Sequence, residues 1–336
     1  MPICQSSCLL GDAVVTPVAA LLLAASLPAL AQPTATGTTP TYPVRPVRMV
    51  VNVTAGGGVD TTARVVAQHL YAVFHQPFVV DNRTGAGGAI GIELVAKSAA
   101  DGYTLLVSSN GIATNAAFRP VNYDPIGSFQ AVSNLTSTPY IVVATPSLPV
   151  ASIKDLIALA KRKPGAVSYA NSGLGSITHL GSALLPSLSG TTMLSIPYKG
   201  VADAYPAVIS GDVNWMLGAA ISALPLVAAG HLRALAITSP RRNKAVPDLP
   251  TTAESGLPGY EVSGWFGLFA PAGTPMALVE KLSAEAKRGL QRPEFARRAE
   301  AQATEILGSS PQELARALTV EVALWRKVVR ESGIKP

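Results

Sequence analysis

The stretch from residue 49 to residue 64, MVVNVTAGGGVDTTAR, constrains the fold more than any other part of the chain. Residues 49–53 form a short β-branched, apolar run suited to a buried parallel strand, and residues 61–70 have the apolar spacing of a helix. Between them stand Gly56, Gly57 and Gly58, which permit positive φ and let another molecule approach the backbone N–H groups with no Cβ in the way. Asp60 or Thr61 is placed to cap the helix, whose free N–H groups and dipole favour an anion. The turn reads either as a carboxylate or phosphate cradle or as a tight strand-to-helix connection without a ligand.

The same design recurs. A strand at 78–80 opens into Asp81-Asn82-Arg83-Thr84-Gly85-Ala86-Gly87-Gly88, followed by a helix over 89–99. A strand at 103–107 ends in Ser108-Ser109-Asn110-Gly111, and one at 167–170 opens into Asn171-Ser172-Gly173-Leu174-Gly175-Ser176 before a helix near Ile177. Residues 193–196 lead to Pro197-Tyr198-Lys199-Gly200 and a further helix through Val208. Such alternation predicts a parallel sheet wrapped by helices, with any ligand beyond the carboxyl ends of the strands. Further strands are expected at 141–144, 213–217, 232–238 and 265–269. Helices are expected from Ser152 to Lys161, over 223–229, and over 275–290 with Pro275 in the first turn. Residues 311–330 form an amphipathic helix with Leu314, Leu318, Val322 and Trp325 on one face, whereas 239–260 is too rich in proline and glycine for regular structure.

Length of 336 residues favours about two domains, and 48% apolar with 14% charged residues excludes extended disorder. The net charge of +6 is scattered, with small clusters at Lys161 to Lys163, Arg241 with Arg242, and Arg297 with Arg298. None is interleaved with aromatics, so nucleic acid is not an expected partner. Residues 13–31 are apolar and end in Ala29-Leu30-Ala31, the small-x-small pattern of a signal-peptidase site, while Pro17 and Pro28 disfavour a membrane span. No Lys or Arg precedes Arg45 and Asp12 stands where a basic n-region belongs, which questions the translation start. Cleavage after Ala31 makes 1–31 a signal peptide and 32–41, rich in Thr, Pro and Gly, a loose leader. Both cysteines, Cys4 and Cys8, leave with it, so no disulfide, thiolate nucleophile or cysteine metal site remains.

Enzyme signatures are missing: there is no GxSxG, HExxH, GxxxxGK[ST] or GxGxxG. The histidines, His69, His75, His179 and His231, show no metal-ligand spacing, and His179 near Ser176 reads as an ordinary polar residue of a helix start. No catalytic residue, metal or cofactor is expected. What the turns offer is donors: glycine N–H groups, the hydroxyls of Thr54, Thr84, Ser109, Ser172, Ser176 and Thr178, and the amides of Asn110 and Asn171. Each hydrogen bond to an ionised acceptor contributes roughly 1.5 to 3 kcal/mol net. Lys199, the cation at a strand end in these turns, suits a second carboxylate or plain solvent exposure equally.

The order of motifs resembles the periplasmic solute-binding receptors of tripartite tricarboxylate transporters, the Bug-type receptors. The matching pieces are Tyr42-Pro43 with Pro46, GGGVD with Ala63-Arg64, Asp81-Asn82-Arg83 followed by GAGG, DGYT at Asp101, and PGAVSYANSGLGSITHL from Pro164. IPYKG at Ile196, AGHLRALAIT from Ala229, PDLPTTAESG from Pro247 and APAGTP from Ala270 continue the match to about Trp325. The resemblance implies an α/β, two-lobed periplasmic binding protein of the type II, Venus-flytrap kind with a two-stranded hinge. Lobe 1 would be discontinuous, 42–138 and 264–336, with lobe 2 at 139–263. Its ligand loops would carry Thr54, Ala55, Gly56, Gly57, Gly58 and Asp60; Thr84, Gly85, Ala86 and Gly87; Ser109 and Asn110; Asn171, Ser172, Gly173, Ser176 and Thr178; and Tyr198 and Lys199. The implied role is a monomeric, periplasmic, non-enzymatic receptor that captures a small organic acid or amino acid and hands it to the large and small integral membrane subunits of a transporter. A receptor signalling to a sensor kinase is the alternative, and an enzyme on the same scaffold comes last. The family usually has an aromatic residue and a proline or small residue before the first glycine run, where this chain has Val53-Thr54.

Overall fold

A computed structural model describes residues 42–332 and Ile334. The signal peptide, the leader and the cleavage site lie outside the described residues.

The first βαβ unit is built as the apolar pattern predicts. Strand β1 (Val47–Val51) runs into helix α1 (Gly58–Phe74), which lays Val59, Ala63, Val66 and Leu70 against the sheet. Strand β2 (Phe78–Asn82) and β3 (Thr104–Ser109) both pair with β1 in parallel. Between β2 and β3 lie a 3-10 turn, Ala86–Gly88, and helix α2 (Ala89–Ala96), and α3 (Gly111–Phe118) follows β3. Helix α1 starts three residues earlier than its apolar spacing suggests, and its N-cap is Gly57 with no side-chain cap bond, so neither Asp60 nor Thr61 caps it. Asp60 instead sits in the first turn and reaches back to the N–H of Gly56.

The sheet is mixed rather than parallel. Strand β4 (Phe129–Ala144) is 16 residues long, and only its last four were expected as a strand. Its first part pairs antiparallel with β9 (Ser263–Pro271), which in turn lies antiparallel to β3. Its last part, from Tyr140, pairs antiparallel with β7 (Trp215–Ala219) and β8 (Arg233–Ile237). Strand β5 (Ser168–Asn171) is parallel to β7 and to β6 (Leu194–Pro197), completing a second βαβ arrangement. The order is β2-β1-β3-β9-β4-β7-β5-β6, with β8 and the short β10 (Glu305–Ile306) also on β4. The antiparallel strands are those by which the chain passes between its two halves, and helical crossovers would not bring it back beside itself there. The result is a two-lobed α/β fold in which β4 and the segment entering β9 form the two connections.

Side-chain bonds pin both connections. Asn110 donates to the Ser263 carbonyl at 3.3 Å and accepts from the Trp265 N–H at 3.0 Å. Thr238 donates from Oγ1 to the carbonyls of Tyr140 and Val262. In the second half, α4 (Ile153–Arg162) is capped by Ser152 as expected, α5 (Ile177–Ser189) and α6 (Val201–Ser210) follow their strands, and α7 (Ala220–Ala228) follows β7. Residues 239–260 contain turns and no helix.

Helix α8 (Met276–Leu290) has Pro275 as its N-cap rather than inside its first turn, and α9 (Pro293–Ala301) comes after it. The last helix, α10 (Pro311–Ser332), buries Leu314, Leu318, Val322 and Trp325, the predicted face. Among the described residues no helix is long and apolar enough to cross a membrane. Because Leu314 is fully buried in this seam, Leu314→Ala is expected to cost about 2–5 kcal/mol in urea unfolding.

Candidate functional site

The glycine turns after β1 and β2 and the polar turns after β5 and β6 come together where the two lobes meet. An ideal Cβ on Gly173, in the β5–α5 turn, would lie 3.0 Å from the Cα of Gly87 in the β2–α2 turn. Gly87 has φ +60° and packs on the Leu174 carbonyl, so a side chain there would separate the lobes. A Cβ on Gly58 would stand 2.6 Å from Ile221 at the start of α7, and one on Gly57 would stand 3.1 Å from Val201 at the start of α6. Gly200 likewise accommodates the side chain of Thr54. The lobes are therefore closed, backbone against backbone.

Beside this contact is a cavity of about 660 Å³. From the first lobe it is lined by Gly85, Ala86, Gly87 and Arg119, and from the second by Gly173, Leu174, Pro197, Tyr198, Lys199 and Asp203. Arg119 has no counterpart among the residues picked from the sequence. It follows α3, a short helix buried on most sides, so that no apolar stripe marks it in the sequence. The i, i+4 pair of Asn115 and Arg119 is the local clue.

That pair builds the wall. Asn115 Nδ2 donates to the Gly87 carbonyl at 2.8 Å and to the Gly111 carbonyl at 2.9 Å. Arg119 Nη2 donates to the Ala86 carbonyl and, at 3.2 Å, to Asn115 Oδ1. With one nitrogen so engaged, Arg119 makes no ion pair among the described residues, and neither does Lys199.

Most polar side chains singled out in the sequence shape their own loops. Asp60 accepts from the Gly56 N–H at 2.9 Å, from Arg64 at 2.9 Å and from Asn82 at 3.0 Å, while Asn82 also donates to the Val53 carbonyl. Burial alone would push the Asp60 carboxyl up, but its bonds to Arg64, Gly56 and Asn82 outweigh this and hold it below the ordinary carboxylate value. Asn171 donates to Ser195 and accepts from the Gly173 N–H, and the hydroxyls of Ser172 and Ser176 both bond that of Thr178. Ser109 accepts from the Gly111 N–H, and Asn110 is taken up at the lobe connection and by Glu321 of α10. Thr84 is half-buried on the β2–α2 loop and Ala55 is exposed. Two buried oxygens at the end of β1 have no partner, Asn52 Oδ1 and Thr54 Oγ1. The cavity itself is left with backbone groups, Arg119, Tyr198, Lys199 and Asp203, and neither orphan oxygen lines it.

His179 is a loop-shaping residue too. Ser176 Oγ accepts from the His179 backbone N–H at 3.1 Å, and the ring Nδ1 accepts from the Gly175 N–H at 3.2 Å, so the imidazole does not face the hydroxyl as a base would. Burial, with the Arg119 charge adding to it, pushes its pKa down to about 4. Among the described residues no cluster of three His, Cys, Asp or Glu gathers as a metal site requires.

Fold and cleft define a periplasmic binding protein, two α/β lobes closing on a solute. The receptor family of tripartite tricarboxylate transporters, TctC, matches residues 62–334, and the chain belongs to that family. Protein BugT of Bordetella pertussis is 37% identical over 302 residues, covering 88% of this chain and 91% of BugT. The solved periplasmic binding protein BugD superimposes with a TM-score of 0.84 at 34% identity, over 88% of this chain and 99% of BugD. R. palustris Rpa4515, solved with adipate, superimposes with a TM-score of 0.84 at 37% identity, again over 88% and 99%. The family is one of periplasmic solute-binding receptors.

Two outcomes are expected. Gly87→Ala should fold, with a loss of roughly 1 kcal/mol for a non-glycine residue at positive φ, yet keep the lobes apart. Small-angle scattering would then give a larger radius of gyration than for the unsubstituted protein. Because His179 has a depressed pKa, the unfolded chain binds more protons between pH ~6.5 and about 4, so stability falls as pH falls through that window. From pH 7 to 5 the His179 share is about 2 kcal/mol, and urea unfolding of His179→Gln should show a correspondingly shallower decline.

Proposed function

We propose that the chain is an exported solute-binding receptor that closes on a small carboxylated solute and delivers it to the membrane subunits of a tripartite tricarboxylate-type transporter. Residues 1–31 serve as the export signal, cleaved near Ala31, and the receptor acts as a monomer without chemistry of its own. Lobe 1 comprises 42–138 and 264–336, lobe 2 comprises 139–263, and the loops carrying Gly56 to Gly58, Gly85 to Gly87, Gly173 and Tyr198 to Lys199 hold the solute between them. The observation that carries this reading is the cavity where glycine turns of both halves meet beside two cations, Arg119 and Lys199, that make no ion pair among the described residues. Arg119 is half-buried with free donors, and a carboxylate completes such a cation with charge-assisted hydrogen bonds, while the exposed Lys199 adds a second positive charge on the same wall. Membership of the receptor family and the adipate held by the R. palustris relative support the same class of solute.

Protein exported and purified in its processed form, unfolded and refolded to remove any co-purified solute, is the material for the test. Thermal unfolding against a panel of mono-, di- and tricarboxylic acids and amino acids should give an upward shift with at least one acid and none with its amide. At roughly 100 times the dissociation constant the stabilisation is about 2.7 kcal/mol. No shift with any acid, or equal shifts with acid and amide, would sink the reading.

A further inference from the structure

The seam between the lobes carries a second cavity, of about 390 Å³, that shares no lining residue with the one beside Arg119 and Lys199. The first lobe gives it Gly56, Thr61 and, from α9, Arg298; the second lobe gives it a face of α6 and a face of α7. Aliphatic side chains make most of that wall, with Pro206 and Ile209 on α6 and Pro225 and Leu226 on α7. Both prolines are exposed, and Ile209 and Leu226 are half-buried. Apolar surface thus stays in water along the seam even with the lobes closed, and such surface marks interaction sites.

The polar groups of the seam say what covers it. Each of the two helices has a proline as its sixth residue, Pro206 in α6 and Pro225 in α7. A proline has no N–H for the carbonyl four residues back, and its ring displaces that carbonyl from the helix ladder. The carbonyls concerned belong to Ala202 and Ile221, and both residues line the cavity. The wall therefore offers acceptors without their usual donor. Its own hydroxyls do not serve them, because Ser222 Oγ donates to the Ala219 carbonyl at 3.1 Å and meets the Tyr205 hydroxyl at 2.9 Å. Across the seam, Arg298 is exposed, makes no ion pair among the described residues and is the one charged residue on the lining. Glu294 shares a smaller recess with Arg292 and Arg298 and pairs with neither.

Spare carbonyls, an aliphatic wall and a free guanidinium together fit an extended polypeptide segment. Its N–H groups meet the carbonyls, an aliphatic side chain covers the prolines and Leu226, and a neighbouring carboxylate meets Arg298. A purely apolar occupant would bury the carbonyls and the guanidinium without partners, which costs free energy.

We propose that the seam of α6, α7 and α9 docks an extended, outward-facing segment of the transporter's membrane subunits, one with an acidic residue beside an aliphatic one. Resting on the receptor reading, this groove adds to it the place where the closed receptor is held. Arg298 belongs to one lobe and the apolar wall to the other, so the groove is whole only when the lobes are together. A partner that fills it binds the closed form in preference to the open one, and by linkage its docking favours closure.

Photo-cross-linking in cells of the source organism tests the groove. The exported receptor carries p-benzoylphenylalanine in place of Leu226 or of Ile209, or in place of the exposed Leu188 of α5 as a control outside the seam. Adducts are identified by mass spectrometry of the cross-linked peptides. Leu226 and Ile209 should give an adduct with a polytopic membrane protein, through a peptide with Asp or Glu beside Leu, Ile or Val, and Leu188 should give none. Arg298→Glu should lower the adduct about tenfold and Arg298→Lys should keep most of it. Purified Arg298→Glu should melt and respond to the acid panel as the unsubstituted protein does, because Arg298 does not line the cavity of Arg119 and Lys199. No adduct at either seam position, an adduct as strong at Leu188, one that survives Arg298→Glu, or one with a soluble protein alone would overturn the groove. If an acid still raises the melting temperature in that case, the receptor reading stands. An Arg298-dependent adduct with no response to any acid would sink the solute reading and leave the groove.

Discussion

Closure of the cleft depends on one strand. β4 runs unbroken from pairing with β9 to pairing with β7 and β8, so any rotation of one lobe against the other has to be absorbed near residues 138–140 and in the segment entering β9. Pro139 sits at this crossing, and the register between β4 and β9 shifts twice before it. A proline cannot donate to the ladder, and bulges loosen pairing locally, so the crossing is the softest part of an otherwise continuous sheet. What keeps it from being slack is side-chain bonding rather than ladder bonding. Thr238 Oγ1 joins the carbonyls of Tyr140 and Val262, one on each connection, and Asn110 joins Ser263 and Trp265 to Glu321 of α10. A hinge held this way bends about fixed points, which is what brings the same loops into register at each closure.

Register matters because the closed contact is made by backbone. Gly87 against the Leu174 carbonyl and Gly173 against Gly87 leave no side chain to adapt if the lobes meet at a wrong angle. The polar residues around them are accordingly spent on loop shape: Asp60 on Gly56 and Asn82, Asn171 on Gly173 and Ser195, Ser172 and Ser176 on Thr178. A preformed loop loses little conformational freedom on binding, and the internal bonds of these turns are what preform it. The cavity beside them is therefore walled by backbone held in place, with Arg119 and Lys199 on its flanks.

Much of this was legible from residues alone, and the misses have physical causes. Glycine turns after apolar runs located the β1, β2, β5 and β6 loops, since turn chemistry is local and glycine is its strongest marker. The heptad-like face of α10 was equally plain, because four large apolar residues at helical spacing have no other use. The first twelve residues of β4 gave no such signal: Phe129 to Tyr140 is rich in Ser, Thr and Asn, and Pro139 breaks the pattern. It is a strand because it pairs with β9 along its length and with β10 at Thr136 and Ser137, a tertiary override that local propensity does not register. For the same reason the antiparallel part of the sheet was not foreseen. Helices α3 and α9 are short, and neither shows the clear apolar stripe that marks α10. With α3 went Arg119, a residue whose importance lies in what α3 places beside Gly87. Hydroxyl and amide side chains drew attention as donors, but the sequence does not distinguish a donor facing a solute from one facing its own loop.

Thr54 shows how one local departure resets the site. The family resemblance leads one to expect an aromatic residue and then a proline or small residue before the first glycine run, and this chain has Val53-Thr54. In the closed fold Thr54 meets Gly200, with its Cβ and Cγ2 each 2.9 Å from where a Cβ on Gly200 would stand, and its hydroxyl is buried without a partner. The compact Thr54 lets Gly200 settle against the β1–α1 loop, which carries Tyr198 and Lys199 on the same turn toward the first lobe. The large cavity is lined by Arg119 and Lys199 and does not include Thr54. With Thr54 packed on Gly200, the space that remains between the lobes is the one around which the charged residues Arg119, Lys199 and Asp203 stand.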